Sequence, residues 1–339
     1  MVTTGLRRDP VTGGWVVVDE APWRDDFDHA RAAGHATGEG STGPCPFCEG
    51  READAGAEIL AWRDGTPANT PGWDVRVVPN RRPLLRIEAA TTSHADGLYR
   101  SRDGLGAHEV VIETPHHDRP LQALGADAVW RMLWAWRSRL QDLKRDARFA
   151  AVAAFKNHGR AAGARMDHAH SQVVAYPFVP PALENMVRGA SAHFEATGTC
   201  VFCGILEQEL RERNRIVVDT ADVVAIAPYA SRVPFEVSIL PRQHLSRFED
   251  ASDATLHSVA DTLGDVLNRI DWALERPAYN LALHSAPIHA EADRAFHWHL
   301  TIFPRVMPTG GLEWSSGVSR NPVSPERAAA ALRVACDSR

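Results

Sequence analysis

One order of motifs occurs twice along this chain, and that repetition constrains the fold more than any other feature of the sequence. The first pass starts at "CPFC" (Cys45, Cys48) and the alternating segment "WDVRVVPN", and reaches "HEVVIETPHH". A stretch with apolar residues at helical spacing follows, "GADAVWRMLWAWRSRLQDLKR", then "FAAVAAFKNHG" and "DHAHSQVV". The second pass starts at "CVFC" (Cys200, Cys203) and runs through "DVVAIAPYA", "FEVSILPRQH", "DATLHSVADTLGDVLNRIDWALE" and "YNLALHSAP" to "FHWHLTIFPR". Alternation of period two predicts strands, and a 3.6-residue spacing predicts helices. Both passes therefore read CxxC, strand, strand ending in His, helix, strand, HxH strand. The register agrees as well: Glu109 lies eight residues before His117, and Glu236 eight before His244.

Strands with one apolar face and a helix with one apolar stripe bury both by packing the helix on an antiparallel sheet. The expected fold class is therefore α+β, made of two duplicated halves, each an antiparallel sheet with a packed helix. The division falls at 1–180 and 181–339, because the strand pattern lapses across 180–198. Residues 30–44, rich in Gly, Ala and Ser, predict a loop. With 339 residues and 44% hydrophobic content, each half has enough chain for a core.

Four of the five cysteines fall in the two CxxC pairs, and the fifth, Cys336, reads as an ordinary thiol. In a reducing compartment that spacing favours metal over disulfide. Zinc takes four tetrahedral ligands from thiolate and imidazole. Each half offers two thiolates, a His at a strand end and a His of the HxH strand. One expected site is Cys45, Cys48, His117 and His168; the other is Cys200, Cys203, His244 and His297. His116 competes with His117, and His299 with His297. Four protein ligands close the coordination sphere, so both Zn2+ ions are expected to be structural.

Chemistry must then come from beside the metal. Residues i and i+2 of a strand share a face, so if His168 is a ligand, His170 projects next to it unligated. A free imidazole held in this way can attack phosphorus. Gln172 shares the face, and its amide can donate to a phosphate oxygen as charge develops. In the second HxH, Thr301 stands where a Gln would be needed, so only the first half is expected to carry a nucleophile. His284 and His299 are candidates there for sugar or phosphate contacts. Upstream of His168, "NHGRAAGARMD" supplies Asn157, Gly159 and Gly163. Glycines allow a backbone nest of N–H groups around an anion, although the glycine spacing alone reads as a plain turn. Asp167 either orients a ligand histidine or faces solvent.

A net charge of −6 argues against a duplex nucleic-acid binder, which needs a basic surface. No apolar run is long enough to cross a bilayer. The opening "MVTTGLRRDPVTGGWVVVDE" places charges where a signal peptide needs an apolar core. A cytoplasmic protein with no nucleic-acid or membrane partner is expected.

The segment "NHGRAAGARMDHAHSQ" resembles the active-site segment of galactose-1-phosphate uridylyltransferases, of the histidine-triad superfamily, and is most similar to their ADP-glucose phosphorylase-like subgroup. "RRDPVTGGWVVV" and "GGLEWSSGVSRNPVSPERAAAALR" resemble the two ends of such chains. The resemblance implies histidine-triad-like halves and ping-pong nucleotidyl transfer. His170 would attack the α-phosphorus of a nucleoside diphosphate-sugar, and sugar 1-phosphate would leave. A sugar phosphate or inorganic phosphate would then collect the nucleotide. The resemblance also implies that His168 binds zinc, Gln172 holds the intermediate, Asn157 contacts phosphate and Asn80 contacts the nucleotide. Arg165 stands where the family usually has a phosphate-touching Ser, and Arg81 where an acidic or small residue often follows Asn80. Arg24 fits one of two N-terminal arginines, with "DDFD" in place of the other. A homodimer with its site near the interface is implied. Two alternatives stand beside this reading: a histidine-triad nucleotide hydrolase, and a non-catalytic zinc-stabilised nucleotide-binding protein.

Overall fold

The structure, a computed structural model, describes residues 4–20 and 44–335. Arg24 and Cys336 lie outside the described residues. The first half contributes β1 (Thr4–Arg8), β2 (Trp15–Asp19), α1 (Glu52–Ala55), β3 (Leu60–Arg63), β4 (Trp73–Pro79), β5 (Ser93–Asp96), β6 (Tyr99–Arg102), β7 (Ala107–Ile112), α2 (Ala126–Leu143), β8 (Ala151–His158) and β9 (His170–Tyr176). The second contributes α3 (Pro181–Thr197), α4 (Val201–Glu212), β10 (Ile216–Asp219), β11 (Val223–Ile226), β12 (Val237–Pro241), α5 (Asp253–Leu274), β13 (Tyr279–His284), β14 (His299–Pro304), α6 (Gly311–Ser316), β15 (Ser319–Asn321) and α7 (Pro325–Val334).

Ten of these strands form one sheet, in the order β10-β11-β12-β14-β13-β8-β9-β7-β4-β3, with every neighbouring pair antiparallel. From the middle outward the order is β8, β9, β7, β4, β3 on one side and β13, β14, β12, β11, β10 on the other. The two runs match element for element, so the repeat of motifs is a repeat of structure. Each half supplies an antiparallel sheet and a packed helix, as the sequence predicts, with one strand more than its motifs mark, β3 in the first half and β10 in the second, and the two sets join edge to edge. At the seam Asn280 pairs with Asn157 and Tyr279 with His158. Joining removes two raw strand edges that would otherwise invite pairing with other chains.

Helices α2 and α5 cover one face. On α2, Val129, Met132, Leu133, Trp136, Leu140 and Leu143 recur every three or four residues and are buried. On α5, Leu256, Val259, Leu263, Val266 and Ile270 do the same, and Ser252 caps the helix by accepting from the Thr255 N–H. Both stripes pack on Val75, Val77, Val111, Val173, Leu281 and Leu300. Each such buried side chain stabilises the fold by roughly 1.5–3 kcal/mol in transfer terms. A bidentate pair, Arg139 to Glu109 at 2.6 and 2.8 Å, ties α2 to β7. Segment 181–197, where the strand pattern lapses, is α3.

The first residues assemble with the last. Strand β2 pairs antiparallel with β1 and parallel with β15. Arg7 grips Glu326 through two 2.9 Å contacts, and Glu326 also accepts from Arg215. In space, therefore, residues 4–20 lie against the half that begins at 181. Among the described residues no helix is long and apolar enough to cross a membrane.

Candidate active site

The alternation of β9 sorts its side chains. Val173 and Ala175 join the core under the helices, and Ser171 Oγ accepts from Trp136 Nε1 of α2 at 2.9 Å. His170 and Gln172 must therefore face the other side. Neighbouring β7 follows suit: Val111 enters the helix-covered core, and Val110 and Ile112 the opposite one. His108 shares the parity of Val110. Val110 lies opposite Gln172 and Ile112 opposite His170, which brings His108 diagonally against Gln172.

Two Cys/His clusters assemble on this same side. The ligand atoms of Cys45, Cys48, His117 and His168 lie within 4.8 Å of one another, and so do those of Cys200, Cys203, His244 and His297. His116 and His299 belong to neither cluster. His168 Nδ1 faces the sulfurs of Cys45 and Cys48 at 3.7 Å each. His168 Nε2 donates to the Thr114 carbonyl at 2.7 Å, leaving a lone pair on Nδ1 towards the thiols. His244 repeats the device, with Nε2 on the Asp293 carbonyl at 2.8 Å and Nδ1 3.3 Å from Cys203. The first CxxC lies in an irregular turn, whereas the second opens α4. Two thiols and two imidazoles at this spacing suit a tetrahedral soft-metal ion, and each cluster can hold one.

His170 is bound by its own strand. Its Nδ1 lies 2.7 Å from the His168 carbonyl, which can only accept, so Nδ1 carries the proton and Nε2 the lone pair. Nε2 has no hydrogen-bond partner among the described residues. Burial, with the Lys156 ammonium adding to it, pushes the His170 pKa down to about 4, so the ring is neutral at physiological pH. Beneath it, Lys156 Nζ donates to Glu113 at 2.7 Å and to the His170 carbonyl at 3.0 Å, and both partners of the ion pair are buried. Glu113→Ala would strand that ammonium, and the expected loss is on the order of 3–5 kcal/mol in urea unfolding. A loss below 1 kcal/mol would show the pair to be dispensable.

The expected binding residues separate into two groups. Gln172 on β9 and Asn157 on β8 are half-buried beside His170, and Asn80, half-buried just past the end of β4, meets His108. Gly159 and Gly163 adopt positive φ at either end of a single 3-10 turn. Within that turn the N–H groups of Ala162, Gly163 and Ala164 are spent on the Gly159 and Arg160 carbonyls, so they make a turn rather than an anion nest. Arg165 and Asp167 are exposed, and Asp167 faces solvent. His299 does not join the group. Three strand spacings of ~4.8 Å separate β14 from β9. Its ring is buried against Phe202, 5.0 Å away, and His284, 4.7 Å away. Two residues that no motif marks enter the site: His108, whose only signal is its strand parity with Ile112, and Asn280, which arrives from the other half.

A neutral imidazole with one nitrogen tied back, flanked by amides, suits attack on phosphorus, the chemistry of nucleotidyltransferases. Comparison with known proteins agrees. The family model "Galactose-1-phosphate uridyl transferase, N-terminal domain" matches residues 83–180, and its C-terminal counterpart matches 185–307. ADP-glucose phosphorylase of Arabidopsis thaliana is 32% identical over 332 residues, covering 97% of this chain and 92% of that one. Galactose-1-phosphate uridylyltransferase of Thermotoga maritima is 27% identical over 337 residues, covering 97% of both. The crystal structure of the Arabidopsis thaliana ADP-glucose phosphorylase with bound ADP-glucose superposes with a TM-score of 0.82 at 31% identity, covering 98% of each chain. The chain belongs to the galactose-1-phosphate uridylyltransferase family, and it is an enzyme of the nucleotidyltransferase and phosphorylase kind that acts on sugar phosphates.

Proposed function

We propose that this enzyme moves AMP from ADP-glucose to inorganic phosphate through a covalent nucleotidyl-His170 intermediate. His170 Nε2 attacks the α-phosphorus, a P–N bond forms, the bridging P–O bond breaks, and glucose 1-phosphate departs. A phosphate oxygen then attacks the same phosphorus, the P–N bond breaks, and ADP leaves with the imidazole restored. The observation that carries the reading is the 2.7 Å contact holding His170 Nδ1 on its own strand, which reserves Nε2 for the phosphorus. The likeness to ADP-glucose phosphorylase favours this donor and acceptor.

Gln172, Asn157 and Asn80 donate to the transferred phosphate and the nucleotide. Arg165, exposed and without a partner among the described residues, offers a guanidinium fork to the incoming phosphate. Arg24 belongs to the same proposal through the family resemblance. Gly159 and Gly163 serve by setting the turn, and His299, packed away from the nucleophile, is left out. Both Cys/His clusters hold zinc, which fastens the two HxH strands and takes no part in the transfer. Residues 1–180 and 181–339 are the two copies of one ancestral unit, the first carrying the nucleophile; the matched strand orders support this. The enzyme is cytoplasmic and forms a homodimer. The fully exposed hairpin β5–β6 supports the dimer, since a two-stranded hairpin is marginal in water without cover.

Native mass spectrometry after incubation with ADP-glucose tests the reading. The expected species is a dimer carrying AMP on each chain, and phosphate should discharge it as ADP. Release of free AMP in the presence of phosphate would assign the chain to the hydrolases. Absence of any adduct, with nucleotide still bound, would make it a binding protein.

A further inference from the structure

Amide side chains have two faces of opposite sign, and a site for phosphate needs the N–H face. Their orientation is settled here by partners whose roles are unambiguous. The Ala162 carbonyl accepts from Asn280 at 2.8 Å, so the atom presented there is Asn280 Nδ2. The same nitrogen lies 2.8 Å from Asn157, which must therefore offer Oδ1 and turn its own N–H2 away. By continuation of the β8–β9 register, in which Phe155 pairs with Gln172, Asn157 stands level with His170.

A second chain of contacts settles Gln172. The backbone N–H of Leu84 donates to His108 Nδ1 at 3.0 Å, so Nδ1 holds a lone pair and the proton is on Nε2. His108 Nε2 lies 2.7 Å from Gln172, and the N–H there requires Gln172 to present Oε1. The Gln172 N–H2 then points into the site. Asn80 completes the set: its Oδ1 accepts from the Arg82 N–H at 2.9 Å, which puts Nδ2 3.0 Å from His108 Nε2. Because that ring nitrogen is protonated and donates to Gln172, it gives Asn80 Nδ2 no acceptor.

Resting on the function proposed above, we infer that His108 and Asn280 are positioning residues that fix the polarity of the Gln172 and Asn157 amides, so that only N–H groups meet the transferred phosphate. Neither residue touches the reacting atoms; each acts through one amide. Donors oriented before the substrate arrives need no reorganisation as charge develops. Without His108 Nε2–H, Gln172 loses the partner of its oxygen. With a carboxylate in place of the Asn280 amide, Asn157 would turn its N–H2 inward and show oxygen to the phosphate.

Two double-mutant cycles test this, read by the rate of AMP-adduct formation from ADP-glucose and by the KM for ADP-glucose. His108→Phe should slow adduct formation about tenfold, and Asn280→Asp about a hundredfold, with KM changed less than threefold. In a Gln172→Met background His108→Phe should cost less than twofold more, and in an Asn157→Leu background the same should hold for Asn280→Asp. The Asn157→Leu background also separates amide reversal from the added charge, which would act in either background. Additive losses in both cycles would overturn the positioning role. If wild type forms no adduct, the parent reading fails; if it forms adduct normally and the losses add, only this inference fails.

Discussion

His170→Asn is expected to abolish the AMP adduct and lower turnover by on the order of 10⁴-fold or more, while metal content and melting temperature stay at wild-type values. Removing the nucleophile of a covalent mechanism leaves only what binding and donors provide, and losses of roughly 10⁴–10⁶ are the usual result. Asparagine retains an N–H that can reach the His168 carbonyl, so the strand should keep its course, but an amide nitrogen cannot hold a P–N bond to a nucleotide. The core argues for an unchanged melting point, because the ring lies on the site face of β9 and the residues beneath α2 and α5 are untouched. Turnover within tenfold of wild type would mean that the lone pair described at Nε2 is not the attacking group. A variant that lost both adduct and metal would mean that positions 168 and 170 had exchanged roles.

Cys48→Ala should remove about one of two equivalents of zinc and lower the melting temperature by 10 °C or more, read by elemental analysis and calorimetry. Structural zinc sites contribute apparent binding energies of about 10–16 kcal/mol, and much of that is folding energy. The Cys48 sulfur faces both His168 and His117, at 3.7 and 3.6 Å, so it contacts the segment leading into β9 and the loop after β7 together. Its loss should also slow adduct formation, because the His168 carbonyl that orients His170 belongs to the freed segment. The second cluster shares no ligand with the first and should keep its ion. Unchanged zinc content would contradict the ligand assignment.

The parts of the site legible in the sequence are those whose chemistry is local. CxxC spacing brings two sulfurs to one point, and HxH parity puts two imidazoles on one face whatever the strand pairs with. For that reason Cys45, Cys48, Cys200, Cys203, His168 and His297 could be picked out before any fold was known. The residues that escaped depend on distant pairing. His108 matters because Val110 lies opposite Gln172, and Asn280 because β13 happens to border β8. Neither relation leaves a mark in nearby residues. The glycine loop misled in a different way: positive φ at Gly159 and Gly163 fits a nest or a turn equally, and the 3-10 hydrogen bonds decide for the turn. Likewise, β8 and β13 alternate like any strands, so no local pattern announces that two sheets will merge.

The seam between β8 and β13 sets a timetable for the molecule. Until residues 279–284 have been made, the strand bearing Asn157 is a bare edge, and the amide level with His170 has nothing to hold its oxygen. At 5–20 residues per second, a ribosome needs on the order of ten seconds to supply them after β8 emerges. A growing chain holds every strand of its first copy in that interval, but the contact that orients the Asn157 amide forms only when the second copy docks.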